Sequence, residues 1–342
     1  MQENPHVLLI YTGGTIGMIH DPKTGVLKAF DFKYLSEHIP ELDRLQVNLT
    51  ADSFETPVDS SEMNPVFWEK IARTVYDNYD RYDGFVVLHG SDTMAYTASA
   101  LSFMLQGLSK PVILTGSQLP IGTIRTDGKE NLITAIEIAA AKDASGQAKI
   151  QEVAIYFEYS LYRGNRTSKI SATEFEAFAS PNFPELAIAG VAIRYQHEYA
   201  AEKKELSLFT AFDNRVALLK IFPGFSPTVY KSLFDFNLVK GIIIESFGSG
   251  NAPSDERFTQ LIQDYIAQGG IVLNITQCST GSVEQGRYET SSFFQRAGVI
   301  GGQDLTTEAA VTKMMYALGK YSGSAAIKQN LSADLAGEMT VL

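Results

Sequence analysis

The chain is expected to fold as an α/β protein of two domains. The larger, N-terminal one is built on a doubly wound, mostly parallel sheet, and the smaller, C-terminal one is α/β and Rossmann-like. Three observations predict this. Apolar runs of about four to eight residues alternate with longer amphipathic stretches, the rhythm of βα units. That rhythm breaks once, between about Tyr195 and Asp213, where His197–Glu205 is charged and has no apolar face. Glycines and small hydroxyl residues follow nearly every apolar run, as they do at the ligand-binding edge of an open parallel sheet. With 342 residues available, the division expected is a domain over 1–195, a linker over 196–214 and a domain over 215–342.

Taken in order, the expected strands are His6–Tyr11, Gly84–His89, Pro111–Thr115 and Val153–Glu158, then Val216–Phe222, Gly241–Ser246 and Gly270–Thr276. Each is short, rich in Val, Ile, Leu or Phe, and bounded by Gly, Pro, Asn or Ser. The expected helices are Asn64–Asn78, Thr93–Leu105, Asp127–Lys142, Pro227–Asp235, Ser254–Gln268 and Thr306–Gly319. Asn64 before Pro65, and Ser254 with Glu256 close behind, read as helix starts.

Composition excludes several classes of function. Net charge is −11, from 28 basic and 39 acidic side chains, which opposes a broad nucleic-acid or anionic-membrane surface. No apolar run approaches the roughly 20 residues that span a bilayer. Met1-Gln-Glu-Asn-Pro5 has no basic stretch and leads straight into a strand, so a secretory signal is not expected. Cys278 is the only cysteine, in keeping with a reducing compartment, the cytoplasm by default. Five scattered histidines (His6, His20, His38, His89, His197) show no ligand spacing, so neither metal nor cofactor is expected.

The residues after each apolar run carry the chemical information: Thr12-Gly-Gly-Thr15, Gly90-Ser-Asp-Thr93, Gly116-Ser117, Gly248-Ser-Gly-Asn251 and Ser279-Thr-Gly-Ser282. Glycine lets backbone N–H groups approach a ligand, and hydroxyls serve as nucleophiles or donors. The first turn is not a phosphate loop. Gly13, Gly14 and Gly17 miss the dinucleotide spacing, no Gly-Lys-Ser/Thr follows, and Met18–Gly25 opens no helix to hold a phosphate. A hydroxyl activated by a carboxylate and a lysine is the other reading, with Ser91, Asp92 and Lys169 as its material. Taken singly, each has an ordinary use: Asp92 as a helix cap, Ser91 as a turn residue, Lys169 as a surface charge.

Thr12-Gly-Gly-Thr-Ile-Gly17 together with Val87-Leu-His-Gly-Ser-Asp-Thr-Met94 resembles the two signature segments of the bacterial-type L-asparaginases. The resemblance runs on through Thr115-Gly-Ser-Gln118, Tyr162-Arg-Gly-Asn-Arg166, Gly250-Asn-Ala-Pro253 and Thr276-Gln-Cys278, and is strongest to the type I, cytoplasmic branch. It implies hydrolysis of L-asparagine to aspartate and ammonia through an acyl-enzyme on Thr15. Ser91, Asp92 and Lys169 match the family's second triad. Ser60 matches the group that holds the substrate α-carboxylate, with Ser61 beside it; Asp92 also matches the partner of the α-ammonium, and Ser117 lies in the segment that faces the substrate amide. The resemblance further implies a homo-oligomer, a tetramer built from tight dimers, in which Asn251 reaches a neighbour's site. It implies that the segment Met18–Ala29 closes over the site.

The chain departs from the family pattern at three places. Position 91 is serine where threonine is usual, keeping the hydroxyl and losing the β-methyl that restrains it. The tyrosine that many relatives place about ten residues after the nucleophile is replaced by Val26; Tyr288 matches a tyrosine that other cytoplasmic relatives supply from the neighbouring subunit. Glu245 stands where an arginine serves a second, regulatory asparagine site near Ser168 and Cys278, so allosteric control is expected to be weak or absent. Two other functions compete: an amino-acid-binding protein without activity, and an asparaginase-like subunit of a tRNA-dependent amidotransferase, which requires a basic RNA surface. Preference between asparagine and glutamine rests on one methylene and is not readable.

Overall fold

The computed structural model describes residues 3–20, 27–29, 39–197, 199, 205–286 and 289–341. The chain divides into two compact units, Met1–Leu208 and Phe209–Leu342.

The first unit is organised by an eight-stranded sheet. Its strands are β1 (His6–Tyr11), β2 (Asn48–Ser53), β3 (Gly84–Leu88), β4 (Val112–Thr115), β5 (Val153–Phe157), β6 (Ser160–Arg163), β7 (Ala187–Ile188) and β8 (Arg194–Tyr195). They lie in the order β8-β7-β6-β5-β4-β3-β1-β2. The five strands from β5 to β2 are parallel, and the other three run antiparallel to their neighbours. The order reverses beside β1, between its pairing to β2 and its pairing to β3. That is the topological switch point, where the loops from adjacent carboxyl ends part and leave a crevice.

Both faces of this sheet are covered, which is why its strands read as unbroken apolar runs. Val7, Leu9 and Tyr11 of β1 and Val86 and Leu88 of β3 pack with Leu132, Ala135, Ile136 and Ala139 of α3 (Gly128–Ala140). Leu8, Ile10, Phe85 and Val87 point the other way by strand alternation and are equally buried. The helices α1 (Pro65–Asp77) and α2 (Met94–Met104) belong to this unit too, and α2 packs on β4 and β5. Helix α1 buries Trp68, Ile71, Ala72 and Val75 as one stripe, and Asn64 caps it by accepting from Val66 N at 3.0 Å.

The second unit carries β9 (Val216–Lys220), β10 (Gly241–Ser246), β11 (Ile271–Thr276) and β12 (Ile300–Gly301), all parallel and in that order. Helices α4 (Glu256–Ala267) and α5 (Glu289–Ala297) cover Ile242, Ile244 and Val272 on one face. Helices α6 (Thr307–Lys320) and α7 (Ser324–Leu331) cover Ile243, Leu273 and Ile275 on the other. Under α6, Lys313 Nζ lies 2.6 Å from Glu338 Oε1, with both side chains fully buried. Lys313 also donates to the Leu331 and Ala333 carbonyls, at 3.0 and 2.5 Å.

Three expectations are corrected. Residues Pro227–Asp235 form no α-helix, only a 3-10 turn at Lys231–Phe234. Phe234 is the one residue it buries, and one buried side chain does not make the apolar stripe that offsets the cost of nucleating a helix. The cap of α4 is Asp255, not Ser254; its carboxylate accepts from Arg257 N and Phe258 N. Glu158 lies outside β5, in the two-residue turn that leads to β6.

Candidate active site

Three of the hydroxyl-rich turns seen in the sequence belong to the first unit and follow β1, β3 and β4. The other two, around Gly248–Asn251 and Ser279–Ser282, follow β10 and β11 in the second unit.

The turn after β1 is bound to the one after β3 through the backbone. Thr12 N and Thr12 Oγ1 both donate to the Leu88 carbonyl, at 3.1 and 2.9 Å. A Cβ on Gly14 would stand 2.5 Å from Gly90 N, and one on Gly13 would stand 2.1 Å from the Val58 carbonyl. Gly13 and Gly14 also have φ of +138° and +88°. Close approach and positive φ thus both require glycine here. The chain then enters a 3-10 turn, Thr15–Gly17, in which Ile16 is buried and Thr15 stands half-exposed at its start. Tyr11 Oη donates to the Gly17 carbonyl at 3.3 Å, and burial raises the pKa of that phenol to about 12, so it stays protonated as the donor.

Ser60 approaches from the loop after β2. It is buried, and a Cβ on Gly90 would come within 2.6 Å of its Oγ. Thr93 Oγ1 donates to the Ser60 carbonyl at 2.6 Å, joining the two turns. Ser61 is exposed, and both its N and Oγ lie on Asp59 Oδ1 at 2.9 and 2.8 Å. Those bonds, the backbone one first, hold the Asp59 carboxyl below the ordinary range.

Ser91 and Asp92 open the 3-10 turn Ser91–Thr93 that leads into α2. Lys169 reaches them from 77 and 78 positions away, with Nζ 2.8 Å from Ser91 Oγ and 2.7 Å from Asp92 Oδ1. Its side chain is 16% exposed and that of Asp92 is 69% exposed. The ammonium is thus sheltered while the carboxylate keeps an open side. The turn after β4 closes in through Gly116, where a Cβ would stand 2.4 Å from the His89 carbonyl. Next to it, Ser117 Oγ donates to the Leu119 carbonyl at 2.6 Å.

Several groups at this edge had no role in the sequence reading. Ser91 Oγ lies 3.4 Å from Gln118 Oε1, and Gln118 Nε2 donates to the Glu174 carbonyl at 2.9 Å. Asp127 accepts from Gln118 N at 2.8 Å and Leu119 N at 3.1 Å, which fixes that turn. The Asp127-Gly128 pair at a helix start was the available signal. The Asp127 carboxylate makes no cap bond to the backbone of its helix; besides the two loop N–H groups it accepts from Asn131 Nδ2, one turn into that helix, at 3.3 Å.

The structure therefore gathers Thr15, Ser60, Ser91, Asp92, Ser117 and Lys169 in one unit, around the switch point. Asn251 lies in the second unit, bridged through its backbone to Phe247. Glu245, at the end of β10, accepts from Thr307 Oγ1 at 2.6 Å and lies 3.5 Å from Lys220 Nζ. Tyr288 and Val26 lie outside the described residues. Of the segment expected to close over the site, Met18–His20 pairs with Leu27–Ala29 and the residues between lie outside the described ones too. Among the described residues no group of three or more His, Cys, Asp or Glu side chains is placed to hold a metal ion, and no helix is long and apolar enough to cross a membrane.

Chemically, the edge offers a half-exposed threonine, a hydroxyl and a carboxylate on one lysine, and a floor of backbone at glycines. That is equipment for binding a small zwitterion and for moving protons at a hydroxyl. Residues 6–201 match the family described as asparaginase, N-terminal, and residues 215–331 the one described as glutaminase/asparaginase C-terminal domain. The L-asparaginase 1 of Escherichia coli is 42% identical over 337 residues, 98% of each chain. The crystal structure of L-asparaginase I from Vibrio cholerae superposes with a TM-score of 0.89 at 38% identity, covering 98% of this chain and 99% of that one. The thermostable L-asparaginase from Thermococcus kodakarensis also gives 0.89, at 31% identity over 98% of this chain and all of that one. With both family domains matched in order and the whole length shared with such relatives, the chain belongs to the asparaginase family.

Proposed function

We propose that the chain hydrolyses L-asparagine to L-aspartate and ammonia through a covalent intermediate on Thr15. The observation that carries this reading is Lys169 Nζ, which holds the Ser91 hydroxyl and the Asp92 carboxylate together at 2.8 and 2.7 Å, beside the glycines that join the Thr15 turn to the Ser91 turn.

Asp92, with its open side, receives the α-ammonium of the substrate, and buried Ser60 donates to the α-carboxylate, with Ser61 beside it. Ser117 and its turn face the side-chain amide. Thr15 Oγ attacks the amide carbon. The hydroxyl proton passes to the amide nitrogen, the C–N bond breaks, and ammonia leaves an aspartyl ester on Thr15. Water then attacks the ester carbon, the C–Oγ bond breaks, and the proton returns to Thr15. Ser91, with Lys169 fixed by Asp92, exchanges protons along this route. Backbone N–H groups of the glycine turns face the developing oxyanion, an effect worth about 3–4 kcal/mol for one good donor.

Tyr288 of a neighbouring subunit completes the proton network at Thr15, since Val26 offers no side-chain hydrogen bond there. Asn251 then reaches a neighbour's site, and the working unit is a homo-oligomer, a tetramer of tight dimers, in the cytoplasm. The segment Met18–Ala29 closes over the substrate and excludes water until ammonia has left.

An ammonia-release assay on asparagine tests the reading. The wild type is expected to turn over and Thr15→Ala to lose activity; a Thr15→Ala variant with wild-type turnover rejects the nucleophile. Tyr288→Phe is expected to lower kcat sharply, and near-wild-type kcat in that variant rejects the subunit-supplied tyrosine.

A further inference from the structure

Beneath the Ser91 turn runs a buried chain of hydrogen bonds. His89 follows β3 and is fully buried; its Nδ1 lies 2.6 Å from the Gly90 carbonyl and its Nε2 lies 2.9 Å from Thr97 Oγ1. A carbonyl only accepts, so Nδ1 carries the ring proton. Nε2 is then bare and accepts from the Thr97 hydroxyl, whose oxygen in turn accepts from Trp68 Nε1 at 3.0 Å. Each bond has one allowed direction, from indole to carbonyl. Burial lowers the His89 pKa to about 4, which keeps the ring in this neutral form at neutral pH.

The three side chains stand on three elements that meet at the site. Trp68 is on α1, which starts just after the Ser60 turn. Thr97 is on α2, which starts just after the Ser91 turn, and His89 directly follows β3. The Thr93 bond to the Ser60 carbonyl joins the same two turns a second time. Gly90 has no slack between them, with Ser60 Oγ on one side and Gly14 on the other.

We propose that His89 is a positioning residue: the Trp68–Thr97–His89 chain fixes the Gly90 carbonyl, and through it the placement of Ser91 and Asp92 relative to Ser60. His89 is fully buried and meets no substrate. The inference rests on the asparagine-hydrolysing reading above, which assigns those three residues to substrate and proton transfer.

The test compares four variants of the full chain in ammonia release and in thermal melting. His89→Asn keeps a donor where Nδ1 stands, His89→Gln places its amide near Thr97 instead, His89→Leu keeps neither bond, and Thr97→Val removes the middle hydroxyl. His89→Asn is expected to hold kcat within about threefold of wild type. His89→Gln and His89→Leu are expected to lose about 30-fold in kcat, with a raised KM, as displaced groups do. Thr97→Val is expected to lose about three- to tenfold and to shift the emission of Trp68, the only tryptophan in the chain. Equal kcat in the Asn and Gln variants, or losses that follow melting temperature alone, overturn the positioning role; if His89→Leu does not fold, the Asn–Gln pair decides. A wild type that releases no ammonia overturns the proposed function and this inference with it. An active wild type with a flat His89 series overturns only the inference.

Discussion

Each unit contains a lysine–carboxylate pair at short distance, and the two pairs differ in what surrounds them. Lys313 and Glu338 in the second unit are 2.6 Å apart and both 0% exposed. The remaining Lys313 donors go to main-chain carbonyls, so nothing is left to offer a ligand. Burial opposes ionisation of Glu338, and the Lys313 ammonium overrules it and holds that carboxyl below its ordinary pKa. Lys169 and Asp92 in the first unit are 2.7 Å apart, but the carboxylate is mostly exposed and the next contact of the lysine is a hydroxyl. A sealed pair ties chain to chain. A pair open on one side, with a hydroxyl as its neighbour, keeps hydrogen-bonding capacity for something that arrives later.

The largest expected effects separate the two pairs. Lys313→Met strands a buried carboxylate and is expected to cost about 3–5 kcal/mol of stability, read by urea denaturation, while turnover per folded molecule persists. Lys169→Met is expected to lower kcat/KM by about 10³-fold, with a melting temperature near wild type. If both variants lose stability and neither loses specific activity, the contrast is void.

A second contrast sets glycines against each other. Gly14→Ala meets Gly90 main chain at 2.5 Å, on top of a φ of +88°. A Cβ on Gly281, with φ of +93°, would meet nothing within 4 Å among the described residues, so the expected cost of Gly281→Ala is backbone strain, about 1–3 kcal/mol. Gly14→Ala is expected to cost more than Gly281→Ala and to abolish turnover. Equal costs would mean that the two turns separate readily.

His89 supplies a pH test of burial at the first unit's edge. Its folded pKa of about 4 lies below the ordinary 6.5, through burial and against the opposing Gly90 carbonyl. As pH falls from 6.5 towards 4, the unfolded chain takes up this proton and the folded chain does not. Stability from this group is therefore complete above pH 6.5 and declines by about 1.4 kcal/mol per pH unit across that window. Below it the decline stops. Denaturation midpoints measured at pH 6.5 and 5 are expected to fall further for wild type than for His89→Asn; parallel falls refute the burial effect.

The smallest expected effect concerns Glu245. The Glu245 carboxylate, buried near the end of β10 and bonded to Thr307, is expected to repel a second amino-acid carboxylate. Rate curves for asparagine are expected to be hyperbolic, and a Hill coefficient clearly above one refutes this.

The parallel strands were legible because burial on both faces leaves long apolar runs, and His6–Tyr11 and Gly241–Ser246 match their expected bounds. The edge strand Asn48–Ser53 was not, since five of its six residues lie exposed and its sequence shows no alternation. The hairpin from β5 to β6 was hidden for another reason. Its turn residues, Glu158 and Tyr159, take φ of +41° and +68° without the Asn-Gly chemistry that advertises such turns, and Asn131 Oδ1 holds Glu158 N at 3.1 Å. At the site, the glycine turns and their hydroxyls were legible as a strand edge. The residue types named Lys169 as material for activating a hydroxyl and the family resemblance matched it to a triad, but its approach to Ser91 and Asp92 was not readable, because nothing local ties a residue to partners 77 and 78 positions away.

That hairpin also sets when the site comes into being. The chain must lay down β5, turn back along β6 and pass Gly164–Arg166 before Lys169 can meet Ser91. On the ribosome the glycine turns are therefore made long before their cation. In refolding from urea, a contact of such sequence separation forms late. Recovery of turnover is thus expected to trail recovery of helical ellipticity: the protein acquires its shape first and its chemistry last.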